Sequence, residues 1–247
     1  MPKQNKPKLI SVIIPAHRQE KTILKDITRI QKALKSIRYP YEIIVVIDGA
    51  IDKTYRQIKK LQTHHLKVYL LKANQGKGFA VRYGMTKAKG DYIAFLDAGM
   101  EIDPNAISML IEHLEWYNAD IIVGSKRHLA SQINYTWDRW LLSWGYYWLV
   151  RLLFNVKIKD TQSGIKIFKR KVLTTILPKL LVKQYAFDIE MLSVAHRLGF
   201  KRIYEAPIKL KYQFGPLTDA ATLKTIKHML YDTLAVFYRL KILKHYD

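Results

Sequence analysis

The chain has 247 residues, no cysteine, 49% apolar residues and a formal net charge of +22, a length that suits one large domain or one domain with appended helices. The absence of cysteine excludes disulfides and thiolate metal sites and fits a reducing compartment. The 42 Lys and Arg against 20 Asp and Glu predict attraction to polyanions, either nucleic acid or anionic lipid headgroups.

The first half of the chain alternates short apolar runs with stretches of helical period. A basic lead, residues 1–8, passes directly into the first run without an apolar signal core, so we expect it to be short and disordered. The runs are Leu9–Pro15, Tyr41–Asp48, Leu66–Leu71, Asp91–Asp97 and Ala119–Gly124, and the helical stretches are about 20–36, 52–63, 78–89 and 104–117. This rhythm predicts an α/β fold, a mostly parallel sheet flanked by helices, with ligands beyond the carboxyl ends of the strands.

The second half of the chain contains two amphipathic segments. Trp137, Trp140, Trp144 and Trp148 fall on one helical face, and the apolar run that continues to Phe154 is shorter than the roughly 20 residues that span a bilayer. This insert, about 137–154, predicts a helix lying in a membrane interface, and packing on the sheet is the alternative. The C-terminal region, 216–247, predicts a basic amphipathic helix for which surface binding and ordinary packing are about equally supported. Apolar surface beside basic charge favours a membrane over nucleic acid as partner.

Four motifs stand in order at or just after the predicted strand ends: Pro15-Ala16-His17, Asp48-Gly49, Gly76-Lys77-Gly78 and Asp97-Ala98-Gly99. In this order they resemble the nucleotide-sugar-dependent glycosyltransferases of family 2, and most closely the polyprenyl-phosphate (dolichol-phosphate) sugar synthases. The resemblance runs from about Leu9 to about Tyr238. It implies a GT-A-like, Rossmann-like catalytic domain over residues 9–215.

The resemblance implies that the first three motifs bind a UDP- or GDP-hexose together with Asp97. Asp48 would hold the base and ribose, and the helix opened by Gly76 would present backbone N–H groups and cations to the diphosphate. The implied donor-binding residues are Pro15, His17, Gln19, Asp48, Gly76, Lys77, Arg82 and Asp97.

The fourth motif implies a site for Mg²⁺ or Mn²⁺. The family has Asp-x-Asp here, and this chain keeps Asp97 but has Gly99 in place of the second acid. Glu101, two residues further on, is the second candidate ligand. Such hard oxygen ligands hold a divalent cation that neutralises the departing diphosphate.

Residues after the fifth strand are implied to receive the acceptor. Lys126, Arg127, Arg139 and Ser143 match segments that bind the phosphate of the acceptor in this family. Asp188 and Glu190 match its acidic helix start, where a carboxylate acts as general base or orients groups, and a structural role for Glu190 is equally open.

These residues lead to one expected function and two alternatives. We expect an inverting, metal-assisted transfer of a hexose to a polyprenyl phosphate, by a protein held peripherally at the cytoplasmic membrane face, with Asp97, Asp188 and Glu190 as catalytic candidates and without nucleic acid as a partner. The alternatives are a family-2 transferase with a glycan or glycolipid acceptor, and a nucleotide-sugar-binding protein without turnover.

Overall fold

The computed structural model describes residues 8–61, 63–99, 101–131, 137–210 and 223–247, with backbone alone for 137–142 and 223–224. Most of the predicted lead, the side chain of Arg139 and the predicted boundary near residue 215 therefore lie outside the described residues. Within this part of the chain seven strands form one sheet in the order β3-β2-β1-β4-β6-β5-β7. The strands are β1 Ile10–Ala16, β2 Tyr41–Ile47, β3 Leu66–Leu70, β4 Tyr92–Leu96, β5 Ile121–Ser125, β6 Ile165–Lys169 and β7 Ile203–Pro207.

Helices cover both faces of this sheet. They are α1 Ile23–Leu34, α2 Thr54–Ile58, α3 Lys77–Lys87, α4 Ala106–Trp116, α5 Trp137–Phe154, α6 Arg170–Ile176, α7 Phe187–Arg197 and α8 Leu223–Phe237. A 3₁₀ turn, Leu177–Lys179, follows α6, and a π-helical turn, Tyr238–Ile242, continues α8. Among the described residues no helix is both long and apolar enough to cross a bilayer.

Alternation along the strands divides the core into two layers. Ile13 of β1 packs into the layer under α3 and α7, whereas its neighbours Val12 and Ile14 pack into the layer under α1 and α4. Successive side chains of a strand point to opposite faces, so a strand buried on both faces is apolar at almost every position. The predicted mostly parallel sheet between helices is confirmed, although α2 is shorter than the predicted stretch 52–63.

Strand β6 is the part of the sheet that the alternation did not predict. It lies between β4 and β5 and runs antiparallel to both. Its amino end therefore lies at the same edge as the carboxyl ends of β1, β2 and β4. This placement brings Gly164, just before β6, beside Asp97, just after β4: the Asp97 N–H donates to the Gly164 carbonyl at 2.9 Å.

Candidate active site

A cavity of about 500 Å³ opens at this edge of the sheet. Its position agrees with the rule that ligands of open α/β sheets bind beyond the carboxyl ends of the strands. The predicted site residues that line it are Pro15, His17, Gln19, Asp48, Gly76, Lys77, Asp97, Glu101 and Lys126. The structure thus brings together most of the predicted donor site, both predicted metal ligands and one predicted acceptor residue.

Asp97 is held at the cavity wall by its backbone and by one carboxylate oxygen. Its Oδ2 accepts from the ammonium group of Lys77 at 2.7 Å. Its Oδ1 is buried and has no hydrogen-bond partner among the described residues. A Cβ added to Gly164 would lie 2.8 Å from Asp97 Cγ, so the missing side chain at 164 leaves the space that the carboxylate occupies.

Lys77, the first residue of α3, is charged in this setting. Burial disfavours the ammonium form, but the carboxylates of Asp97 and Asp188 outweigh burial and raise the pKa of Lys77 above its ordinary value. The ammonium group and the positive end of the α3 dipole therefore lie together beside the cavity.

Close backbone approach explains the glycines on either side of Lys77. A Cβ on Gly76 would lie 2.5 Å from the carbonyl oxygen of Lys183, and one on Gly78 would lie 2.6 Å from Cβ of Phe187. Gly76 also has φ +98°, which side chains disfavour. The glycines let the start of α3 pack directly against the segment that leads into α7.

Asp48 and His17 organise the part of the cavity next to the loop before α3. The Asp48 carboxylate accepts the N–H groups of Gln75 at 2.7 Å and Gly76 at 2.9 Å, which fixes the loop before α3. His17 Nδ1 lies 2.9 Å from the Asp48 carbonyl oxygen, an acceptor, so Nδ1–H donates to it. Both side chains line the cavity, and their contact with a base or ribose stays a prediction.

The carboxylates at the cavity could bind a cation only if a ligand supplied further oxygen atoms. Gly99 has φ +92° and supplies no side chain, and Glu101 is exposed. The described residues contain no group of three or more His, Asp or Glu that could enclose a metal. The Asp97 carboxylate nevertheless supplies hard oxygens at the cavity wall, and Mg²⁺ is commonly held by one or two carboxylates plus substrate phosphates. The residues fit a cation completed by a diphosphate.

The predicted acceptor residues are divided by the structure. Lys126 lines the cavity, and its N–H donates to Asp160 Oδ2 at 2.8 Å. The Arg127 guanidinium donates to Ser143 Oγ at 2.7 Å and lies over the ring of Trp144, so Arg127 and Ser143 bind each other. Neither lines the cavity, and their role with an acceptor phosphate stays a prediction.

Two other predicted residues, Asp188 and Glu190, are buried in the interior and do not line the cavity. Asp188 forms a fully buried ion pair with Lys166, and burial raises the pKa of the Asp188 carboxyl despite that partner. Glu190 is 0% exposed and accepts from Val182 N–H at 2.9 Å and Tyr246 Oη at 2.6 Å. This geometry supports the structural alternative for Glu190.

Arg82, a predicted donor-binding residue, bonds to the protein backbone. Its guanidinium donates to the Leu180 carbonyl, and burial lowers its pKa despite Glu190 nearby. Neither Arg82, Asp188 nor Glu190 is among the described residues that line the cavity. A direct contact of these three with a ligand finds no support in the geometry.

Several residues that line the cavity were not predicted as site residues. Asn74, Gln162, Gly164, Gln184 and Tyr185 also face the cavity. Gln162 and Gly164 belong to the Asp160-Thr161-Gln162-Ser163-Gly164 turn, whose glycine was the available signal. The sequence around Gln184 and Tyr185 gave no signal that they would line the cavity, because their position depends on the packing against Gly76 and Gly78.

Comparison with known proteins adds a family and a fold. Residues 11–177 match glycosyl transferase family 2. The chain is 31% identical over 205 residues to a dolichyl-phosphate beta-glucosyltransferase of Dictyostelium discoideum, covering 77% of this chain and 63% of that protein. It is 33% identical over 205 residues to the Drosophila melanogaster protein of the same name, covering 76% and 63%. The chain thus spans less than two thirds of the length of these relatives.

A solved structure supports the fold. Glucosyl-3-phosphoglycerate synthase from Mycobacterium tuberculosis, in complex with Mn²⁺, UDP and phosphoglyceric acid, superimposes with a TM-score of 0.70. It is 19% identical, and the match covers 94% of this chain and 78% of that one. The predicted GT-A-like architecture is confirmed.

Proposed function

Because the chain belongs to glycosyl transferase family 2, we propose that it transfers a hexose from a nucleotide diphosphate sugar to a polyprenyl phosphate. The names of its relatives favour glucose as the hexose and dolichyl phosphate as the acceptor. The observation that carries the proposal is the pairing at the cavity wall of the Asp97 carboxylate with the charged ammonium group of Lys77. This is the charge pattern that a cation bound to a diphosphate requires.

The donor would bind with its diphosphate at the start of α3. The ammonium group of Lys77 and the amino end of the helix both favour an anion there. The nucleoside would extend toward His17 and Asp48, which line the same cavity. The solved neighbour holds UDP, which supports this ligand class.

Asp97, with Glu101 lining the same cavity, would hold a divalent cation together with oxygens of the diphosphate. When bound, such a cation acts as a Lewis acid that neutralises charge developing on the departing diphosphate. The Mn²⁺ of the solved neighbour supports the same cofactor class.

The transfer itself is a single in-line displacement. An oxygen of the acceptor phosphate attacks C1 of the hexose, the bond from C1 to the diphosphate oxygen breaks, and its electron pair leaves with the nucleotide diphosphate, inverting C1. The phosphate is already anionic at neutral pH, so no side chain has to remove a proton. Lys126, at the cavity, would neutralise the incoming phosphate, and Lys77 the outgoing one.

Conversion of UDP-glucose and dolichyl phosphate to a glucosylated lipid, with Mn²⁺ or Mg²⁺ present, tests the proposal. Asp97→Ala should abolish transfer and cation-dependent donor binding, whereas Glu112→Gln, an exposed change on α4, should leave both unchanged. GDP-glucose and GDP-mannose serve as alternative donors. UDP release that requires a glycan or glycolipid in place of the lipid phosphate would favour the other acceptor class. Nucleotide binding without transfer to any acceptor would favour a binding protein.

Because the proposed acceptor is a lipid phosphate, we also expect the protein to bind an anionic membrane surface. Helices α5 and α8 pack together through Tyr146 and Thr233, whose hydroxyls lie 3.0 Å apart. On α5, Val150 and Phe154 face the core, whereas Trp148 and Leu152 are 59% and 82% exposed. The helix thus packs on the domain with one face and leaves apolar side chains outside on the other.

Helix α8 and its π-helical turn extend the same pattern. Tyr231, Leu234, Tyr238 and Ile242 are exposed. Exposed basic residues lie on α5, on α8 and in or just after the π-helical turn: Arg151, Lys227, Lys241 and Lys244. Exposed apolar side chains together with cations suit the boundary between anionic headgroups and acyl chains, where each basic residue contributes about 1 kcal/mol.

Co-sedimentation with phosphatidylserine vesicles tests this surface. Salt screens the basic residues but not buried rings, so Trp148→Ser/Leu152→Ser should lose the binding that survives at high salt. Trp116→Ser is the matched control, because Trp116 is 86% exposed on α4, which covers the other face of the sheet. A wild-type protein that ignores these vesicles would contradict the membrane proposal.

A further inference from the structure

Lys77 and Asp97 are bound to each other, although each is proposed to bind a different ligand. Asp97 is the proposed cation ligand, and Lys77 is the proposed diphosphate ligand, yet the two side chains bind each other at 2.7 Å. Asp97 has little freedom to leave, because its N–H is bonded to Gly164 and its carboxylate packs against the Gly164 backbone. The ammonium group, at the end of a long side chain, is the more mobile partner.

The charge of Asp97 is countered by the ammonium group of Lys77. Gly99 supplies no second carboxylate, and Glu101 is exposed, so Lys77 is the charged partner that the structure shows for Asp97. A divalent cation that approaches Asp97 therefore meets the positive charge of Lys77 within a few ångströms. Like charges at such a distance, in a partly buried site, repel strongly.

We propose that Lys77 is an internal counter-cation that blocks metal binding at Asp97 until a nucleotide diphosphate draws the ammonium group away. The proposal rests on the proposed function and adds to it an order of events. The diphosphate takes Lys77, Asp97 Oδ2 is released, and metal and nucleotide each bind tightly only in the presence of the other. By thermodynamic linkage, each ligand strengthens the other by the same factor.

The test measures binding in Lys77→Met and, as a matched control, in Lys87→Met. Lys87 lies in the last turn of the same helix, is exposed and does not line the cavity, so it controls for the charge change. Mn²⁺ binding is measured by electron paramagnetic resonance without nucleotide, and UDP binding by calorimetry in EDTA. Lys77→Met should bind Mn²⁺ alone about tenfold more tightly and UDP alone about tenfold more weakly than wild type, and Lys87→Met should match wild type.

A site in which Lys77 does not oppose the metal predicts a different Mn²⁺ affinity for Lys77→Met. If the diphosphate only supplied oxygens to the cation, Lys77→Met would bind Mn²⁺ alone no better than wild type, and that result overturns the proposal. Lys77→Arg keeps the charge and should keep the weak Mn²⁺ binding of wild type, and circular dichroism checks that each variant is folded. The Mn²⁺ measurement needs no nucleotide. If neither UDP nor GDP binds, the proposed function is overturned. The Mn²⁺ affinities of wild type and Lys77→Met would still show whether Lys77 opposes metal binding at Asp97.

Discussion

Replacing Gly164 by alanine is expected to disturb Asp97 without removing any side chain from the cavity. The new methyl group would overlap Asp97 Oδ2 and lie 2.8 Å from its Cγ. The carboxylate is also the partner of Lys77 at 2.7 Å, so any movement that relieves the overlap disturbs this contact. The backbone at Gly164 does not have a positive φ, so the effect is steric and not conformational.

The magnitude follows from two opposing terms. Overpacking a tightly packed position costs about 1–3 kcal/mol, and loss of glycine flexibility in the unfolded chain returns about 0.4–1 kcal/mol. The net loss of about 1–2 kcal/mol corresponds to a fall in melting temperature of about 2–8 °C for a chain of this size. Cation-dependent UDP binding should also weaken, by more than the loss of folded protein accounts for, because Asp97 is displaced.

Differential scanning calorimetry and titration with UDP and Mn²⁺ measure the two effects. Gly145→Ala is the matched control, because Gly145 lies within α5 and an added Cβ would contact nothing within 4 Å. That change should raise the free energy of unfolding by about 0.5–1 kcal/mol, as alanine does within a helix. A Gly164→Ala protein with unchanged melting temperature and unchanged ligand binding would refute the reasoning.

Three further predictions concern strain, a buried hydrogen bond and acid stability. Gly99→Asp and Gly99→Asn place a side chain at φ +92°, so each should lower the free energy of unfolding by about 1–2 kcal/mol. Of the two variants, Gly99→Asp alone should bind Mn²⁺ more tightly than wild type. Equal Mn²⁺ affinities of the two variants would contradict a role for a second carboxylate. Tyr246→Phe removes a donor from the fully buried Glu190, which should cost about 1–3 kcal/mol in urea unfolding, and an unchanged midpoint would contradict this. Burial opposes the charge of Glu115, but its hydrogen bonds, foremost that from Lys8, lower its pKa from 4.5 to about 2. A lowered carboxyl pKa adds stability above pH 4.5 that is lost as pH falls toward 2, so Glu115→Gln should flatten that loss in melting curves.

The local pattern of the chain determined the architecture and the position of the site. Alternating apolar runs and helical stretches located the strands of the parallel part, because burial on both faces leaves an uninterrupted apolar run. Residues that directly follow those runs, among them His17, Asp48 and Asp97, had to meet at one edge, since parallel strands end together. Their order along the chain supported the family before any coordinates did.

Contacts between distant segments decided what each side chain does. Asp188 is paired with Lys166, and Glu190 with Tyr246, 56 residues further along the chain, so carboxylates that the motif offered for catalysis are buried in ion pairs and hydrogen bonds. The antiparallel insertion of β6 set Gly164 against Asp97. None of these pairings leaves a periodic trace in the sequence. They arise because packing the sheet between two helical layers brings remote residues together, and a buried charge must then find its partner wherever the fold supplies one.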